Sequence, residues 1–198
     1  MEWGDPLGLA GRPSTRAQEL KKKYGHLSVK ERRDLIEQKS EANAERWVRD
    51  YESKLATENP GLNLHFVDKH GADTPLTPNL RQRSIDGSHP RTGSRTRRSR
   101  PQTSSQFKDW CTQRDIINEA TTREARGLPK YNGVDRQGNP IVKGTNTQGV
   151  GHGFSPNRRD PSSPVFNDQL DNWVVRFDSM CWSIQIGYEP HGIVFRNI

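Results

Sequence analysis

The closing stretch of the chain, NWVVRFDSMCWSIQIGYEPHGIVFRNI (172–198), alternates apolar and polar residues along most of its length. Successive side chains of an extended chain point to opposite faces, so this alternation predicts two or three antiparallel strands with one covered face. A sheet of that size must be covered by other elements, and the text upstream supplies helices. LSVKERRDLIEQKSEANAERWVRDYESKLATENPG (27–61) carries Leu35, Ile36, Ala44, Trp47, Val48, Tyr51 and Leu55. The later ones fall at offsets of three, four and seven, which is an apolar stripe on a helix. Ser28 with Glu31 three residues on makes a capping box, and Asn59-Pro60-Gly61 supplies the stop. The Glu, Lys and Arg residues on its other faces read as a solvated surface.

Between these two segments the signals are shorter. LNLHFV (62–67) alternates like a strand at the start of the core domain. HGADTPLTPNLRQRSIDG (70–87) predicts a turn and then a short helix begun at Thr77-Pro78, where a missing N–H costs least. GSHPRTGSRTRRSRPQT (87–103) holds Arg91, Arg95, Arg97, Arg98 and Arg100 with no acidic and no aliphatic residue, the composition of a disordered basic loop. SSQFKDWCTQRDIINEATTREARG (104–127) predicts a strand or turn and then a helix near Thr112 to Arg126, with Phe107, Trp110, Ile116, Ile117 and Ala120 inward. Residues 131–164 are rich in turn formers around short apolar pairs, as in hairpins and loops. No internal repeat is present. The order predicts an α+β fold, with an N-terminal helical arm followed by a small mixed domain that has a C-terminal antiparallel sheet.

Composition narrows the function. Only 29% of the 198 residues are hydrophobic and mean hydropathy is −1.03, so the core is modest and part of the chain stays outside it. No apolar run approaches the length that spans a bilayer, so no spanning helix and no membrane partner are expected, and the amino terminus lacks the basic-then-apolar pattern of a signal peptide. Cys111 and Cys181 are too few for a disulfide framework and lack zinc-site spacing, so both read as buried thiols. The net charge of +7 points to a polyanion, nucleic acid first.

HFVDKHGADTPLTPNLRQR (65–83) is the richest constellation, placing His65, His70, Arg81 and Arg83 in one compact unit. Metal-free cleavage of RNA needs a base for the 2′-hydroxyl proton, an acid for the leaving 5′-oxygen and a cation for the charge on phosphorus. Imidazole and guanidinium are suited to the first and last of these roles. The same residues also suit a plain turn with solvated arginines. A zinc hydrolase motif is absent, because His65 and His70 are five apart with no Glu between them. His89 in the Arg-rich loop, His152 among glycines and His191 after Pro190 read as surface residues, with His191 near the sheet edge as an alternative proton carrier. Tyr188 reads either as a packing residue or as a phenol projecting into a cleft. Glu189, Arg83 and Ser104-Ser105 carry a weaker second reading, the Arg, Ser and Glu set of NAD-dependent ADP-ribosyltransferases, although no Glu-x-Glu is present.

GDPLGLAG (4–11) is a string of turns. It resembles the boundary peptide of Rhs and related YD-repeat proteins, whose shell ends in Asp-Pro-x-Gly-Leu ahead of a variable toxin; Asp5, Pro6, Gly8 and Leu9 match. The remainder is similar to polymorphic bacterial toxin tips, most of all the ribonuclease-A-like toxins of contact-dependent inhibition systems. The counterparts are His70, Arg81, Ser104-Ser105-Gln106-Phe107, Val150-Gly151-His152-Gly153, and Tyr188 with Pro190. The resemblance covers residues 65 to 191. It departs from the family where Ile186 stands in place of a Thr, and alignment on Pro190 would put Glu189 in the Tyr place.

The resemblance implies a boundary peptide over 1–11, a helical linker arm over 12–60 and a toxin domain over 61–198. It implies an endoribonuclease without cofactor or metal, acting on tRNA or rRNA. His70 would be base, Arg81 phosphate clamp and Tyr188 proton donor, with Arg83, Arg95, Arg97 and Arg98 gripping substrate. It further implies a cognate immunity protein, and an Rhs shell or secretion-system carrier. The toxin would reside in the producer's cytoplasm and be delivered by dedicated export into the cytoplasm of a target cell. A noncatalytic nucleic-acid-binding remnant is the third reading.

Overall fold

Among the described residues, five helices and seven strands follow one another in a mixed α+β fold. The computed structural model describes residues 15–60, 64, 66–74, 79–127, 132–134, 140–177 and 182–186. The chain divides into two units, Met1–Ser40 and Glu41–Ile198. In the first, helix α1 (Thr15–Tyr24) buries none of its residues. Lys39 Nζ donates to the Tyr24 hydroxyl at 2.7 Å and lies 4.7 Å from the ring centroid. Helix α2 (Val29–Glu58) begins in the first unit and ends in the second. It opens on the expected capping box, with Ser28 N donating to Glu31 Oε2 at 2.7 Å and Glu31 N to Ser28 Oγ at 3.2 Å. Ala44, Val48 and Leu55 form its buried stripe, and Trp47 stacks on Tyr51 with centroids 5.1 Å apart. Ile36 is exposed.

In the second unit the expected strand over 62–67 falls largely outside the described residues, and its last two residues open a helix instead, α3 (Phe66–His70). The physical reason is burial. Phe66 and Val67 are neighbours and both are inside, whereas a strand covered on one face would expose one of them. Helix α4 (Arg81–Asp86) stands where a short helix was expected; Thr77-Pro78 lies outside the described residues. Gly87 ends it at φ 78°, its N–H donating to Arg83 O at 2.8 Å. A Cβ there would sit 2.2 Å from the Arg100 carbonyl oxygen, so glycine is what lets the basic segment close over the end of α4.

Strand β1 (Ser104–Phe107) leads into helix α5 (Trp110–Ala125). Asp109 caps α5 by accepting from Thr112 N at 2.6 Å, and the Glu41 carboxylate accepts from Trp110 N and Cys111 N at 2.9 and 3.2 Å. The five residues expected inward are all buried, together with Gln113, whose Nε2 donates to Phe66 O at 3.1 Å. Of the two cysteines, both expected to be buried, Cys111 is half-buried, and Cys181 lies outside the described residues.

The remaining strands are β2 (Asn132–Val134), β3 (Pro140–Thr145), β4 (Gly151–Ser155), β5 (Val165–Leu170), β6 (Asn172–Phe177) and β7 (Trp182–Ile186). They form two antiparallel sheets, ordered β1-β4-β5 and β2-β3-β6-β7. The alternation of 172–186 yields β6 and β7 paired with Val174 opposite Gln185; a third strand would fall outside the described residues. β5 carries no alternation and is a strand by virtue of its pairing with β4. Phe107, Ile116, Ile117, Val142, Val150, Leu170, Trp173 and Val175 join the α2 stripe and α3 in one core.

Glu52 of α2 accepts from Val67 N at 3.4 Å, at the start of α3. Burial there raises its carboxyl to about 7, Asp68 adding to the rise while backbone N–H groups and Arg49 oppose it. The folded state thus binds more protons than the unfolded state between the ordinary carboxylate range and pH 7, and stability falls as pH rises through that window. Glu52→Gln keeps the acceptor and removes the charge. Its Tm is expected to exceed that of wild type by a few degrees at pH 8 and to match it at pH 5, as read by differential scanning calorimetry.

Candidate anion-binding site

Between α3, α4 and the basic segment 87–103 lies an open cavity of about 400 Å³. Lys69, Arg83, His89, Arg98 and Arg100 line it together with Gly87, Gln102 and three hydroxyl residues, and no carboxylate is among its lining residues. The segment holds its place by specific bonds. Arg91 Nη2 donates to Asp73 Oδ1 at 2.6 Å and to Val67 O at 3.2 Å, while Arg49 Nη2 takes the other Asp73 oxygen at 2.7 Å. Burial would raise the Asp73 carboxyl, but the two guanidiniums outweigh it and hold the group below its ordinary range. A turn follows, with His89 N donating to Ser94 O and Gly93 N to His89 O, both at 2.8 Å.

Arg83 is the feature that defines the site. Its residue is 7% exposed, its Nε meets no acceptor among the described residues, and its Nη1 reaches the Ser88 carbonyl only at 3.5 Å. Burial pushes its pKa down. A guanidinium buried without a carboxylate is costly, and an anion in the cavity would offset that cost.

His89 is also held below its ordinary value, first by burial and then by Lys69, Arg83 and Arg91, with Asp68 opposing. The ring is therefore neutral at pH 7. Its Nδ1 accepts from Arg91 N at 3.3 Å, at the long end of the hydrogen-bond range.

The residues expected at the site divide. Arg83 and Arg98 line the cavity; Arg95 instead pairs with Asp86 at 3.5 Å, and Arg97 is exposed outside the lining. His70 is buried, and its Nδ1–H donates to the Ser105 carbonyl at 2.9 Å, pinning α3 to β1. Arg81 Nη2 donates to Ser162 O at 2.8 Å in the β4–β5 connection. The structure thus engages His70 and Arg81 in different contacts, and neither lines this cavity. His65, Tyr188, Glu189 and His191 lie outside the described residues. His89, expected as a surface residue, is half-buried and lines the cavity, and Lys69 joins it without having been singled out by the sequence. The available signal was turn chemistry, a histidine two residues beyond a helix-ending glycine and fixed by the following Pro90.

A second cavity, of about 360 Å³, opens beside α5 and is lined by Asp115, Glu119 and Trp173 among others. Its two carboxylates are paired with Arg114 and Arg123. No group of three or more His, Cys, Asp and Glu side chains suited to a metal occurs among the described residues, and no helix among them is long and apolar enough to cross a membrane.

Comparison with protein-family models, with curated proteins and with solved structures found no match to this chain.

Proposed function

We propose that residues 41–198 form a polyanion-binding domain that cleaves RNA at the Arg83 cavity. More particularly, the chain is proposed to be the toxin-bearing tip of an Rhs-type protein, with a cognate immunity protein as its partner in the producing cell. The observation that carries the first reading is buried Arg83, lining a cavity whose described residues are cationic or uncharged, with no carboxylate among them.

In this reading Arg83 forks two donors onto the nonbridging oxygens of one phosphodiester, and Lys69, Arg98 and Arg100 follow the flanking phosphates. His89, rather than His70, takes the 2′-hydroxyl proton on Nε2, in the tautomer that gives up the long bond from Arg91 N. The 2′-oxygen bonds to phosphorus as the bond to the 5′-oxygen breaks, and the leaving oxygen takes a proton from water or from Tyr188. The products are a 2′,3′-cyclic phosphate and a 5′-hydroxyl.

Incubation of the purified chain with total RNA tests this. Cleavage is expected to persist with chelator and without NAD, to leave cyclic phosphate ends, and to fall by roughly 10²–10⁴-fold in His89→Ala. The acid limb of kcat/KM should lie below about pH 6.5, the ordinary imidazole value, because the free base is favoured in the folded protein. RNA bound but left whole would make the chain a nucleic-acid-binding remnant. NAD-dependent label transfer would make it an ADP-ribosyltransferase.

A further inference from the structure

We propose that the face of β4 and β5 bearing Phe166 is a stacking platform for an unpaired nucleobase of the strand whose phosphate lies at Arg83; this rests on the RNA-directed reading above. Phe154 and Phe166 are cross-strand partners, and His152 is two residues from Phe154 on β4, so all three project from one face. Their rings form a contiguous group. Phe166 lies 5.1 Å from Phe154 and 6.5 Å from His152 between centroids, tilted by 50° in each case. Phe154 is buried while Phe166 is 48% exposed, so the outer ring is backed by an inner one and keeps surface for a ligand.

The β4–β5 ladder is irregular at His152. Gly151 faces Leu170 and Gly153 faces Asn167, so two β5 residues, Asp168 and Gln169, oppose the single histidine. Bulges of this kind re-aim side chains. Burial also holds the His152 ring below its ordinary pKa, which keeps it uncharged at pH 7.

One short helix joins this face to the anion site. In α4, Arg83 lines the cavity, Ser84 Oγ donates to Phe154 O at 3.1 Å, and Arg81 Nη2 donates to Ser162 O at 2.8 Å. The connection that Arg81 holds also carries exposed Arg158 and Arg159. Exposed cations in the connection that leads into the strand carrying the exposed ring suit a single strand, because phosphates meet the cations and every base offers a π-face to the ring. A duplex keeps its bases stacked on one another and would leave Phe166 unused.

The test uses the full chain with fluorescein-labelled, 2′-O-methylated single-stranded oligonucleotides, which resist 2′-hydroxyl attack, and a version of equal length with abasic spacers. Fluorescence anisotropy at fixed salt is expected to show roughly tenfold tighter binding of the base-bearing strand. Phe166→Ala should remove that preference and leave abasic binding unchanged, and Phe166→Tyr should retain it. A 2-aminopurine in the strand should be quenched by wild type, a readout that needs no variant. Equal binding of the two strands by wild type, absence of quenching, or an equal loss on both strands in Phe166→Ala would overturn the platform. Abasic binding that persists in wild type and is lost in Arg83→Met would leave the RNA-directed reading standing even so. Binding of neither strand would overturn both.

Discussion

Arg83→Met is expected to abolish RNA binding at the cavity and at the same time to make the protein more resistant to heat. The two effects have one cause. The residue is 7% exposed, its Nε has no acceptor among the described residues, and no carboxylate is among the described residues lining its cavity. Desolvating a cation that no carboxylate neutralises opposes folding, and methionine fills much of the same volume without that cost. A Tm rise of roughly 2–4 °C is expected for each kcal/mol recovered in a chain of this size. On the ligand side, the loss of a buried bidentate donor should lower RNA affinity and cleavage at least a hundredfold, measured by anisotropy and gel assay. If Arg83 instead served only to pack α4, the variant would lose stability and keep binding. Opposite signs in the two measurements are therefore the signature of an anion site held at the expense of stability.

The second large effect is expected at Phe107. It is fully buried at the end of β1, in the core cluster with Val150, Ile116 and Ile117. Phe107→Ala should cost about 3–5 kcal/mol, a large part of the stability of an ordinary domain. The loss should spread to α3, because β1 also supplies the Ser105 carbonyl to His70, and the Gln106 side-chain amide, which donates to Ala72 O at 2.6 Å. Urea unfolding should show a midpoint shifted strongly to lower concentration with an unchanged m-value. Ile36→Ala, at a position 68% exposed on α2, should leave the midpoint within error and serves as the control.

Much of the architecture is legible along the chain because it rests on local chemistry. The capping box at Ser28 and Glu31 requires two residues three apart, and both bonds form. The inward set from Trp110 to Ala120 on α5 is a period-3.6 pattern, and β6 with β7 is a period-2 pattern. Elements without a period were harder to read. β5 has five of six residues outside the core and exists through its pairing with β4, which no local pattern encodes. Phe66 and Val67 sit in a run short enough to suit either element, and the choice of helix depends on burying both side chains and on Glu52 meeting the Val67 N–H.

The site divides along the same line. Composition puts the chemistry on offer: a +7 chain with arginines concentrated over 91–100 and His89 just ahead of them, in an α+β frame. Which of these groups meet depends on how distant segments pack. Arg81 and Arg83 lie two residues apart on a short helix; one reaches the Ser162 carbonyl and the other turns into a cavity. His70 turns inward to the Ser105 carbonyl, and His89 comes beside Arg83 because Gly87 lets the basic segment fold back over α4. Charge and residue type are properties of the chain, but desolvation and convergence arise from packing between segments distant in sequence.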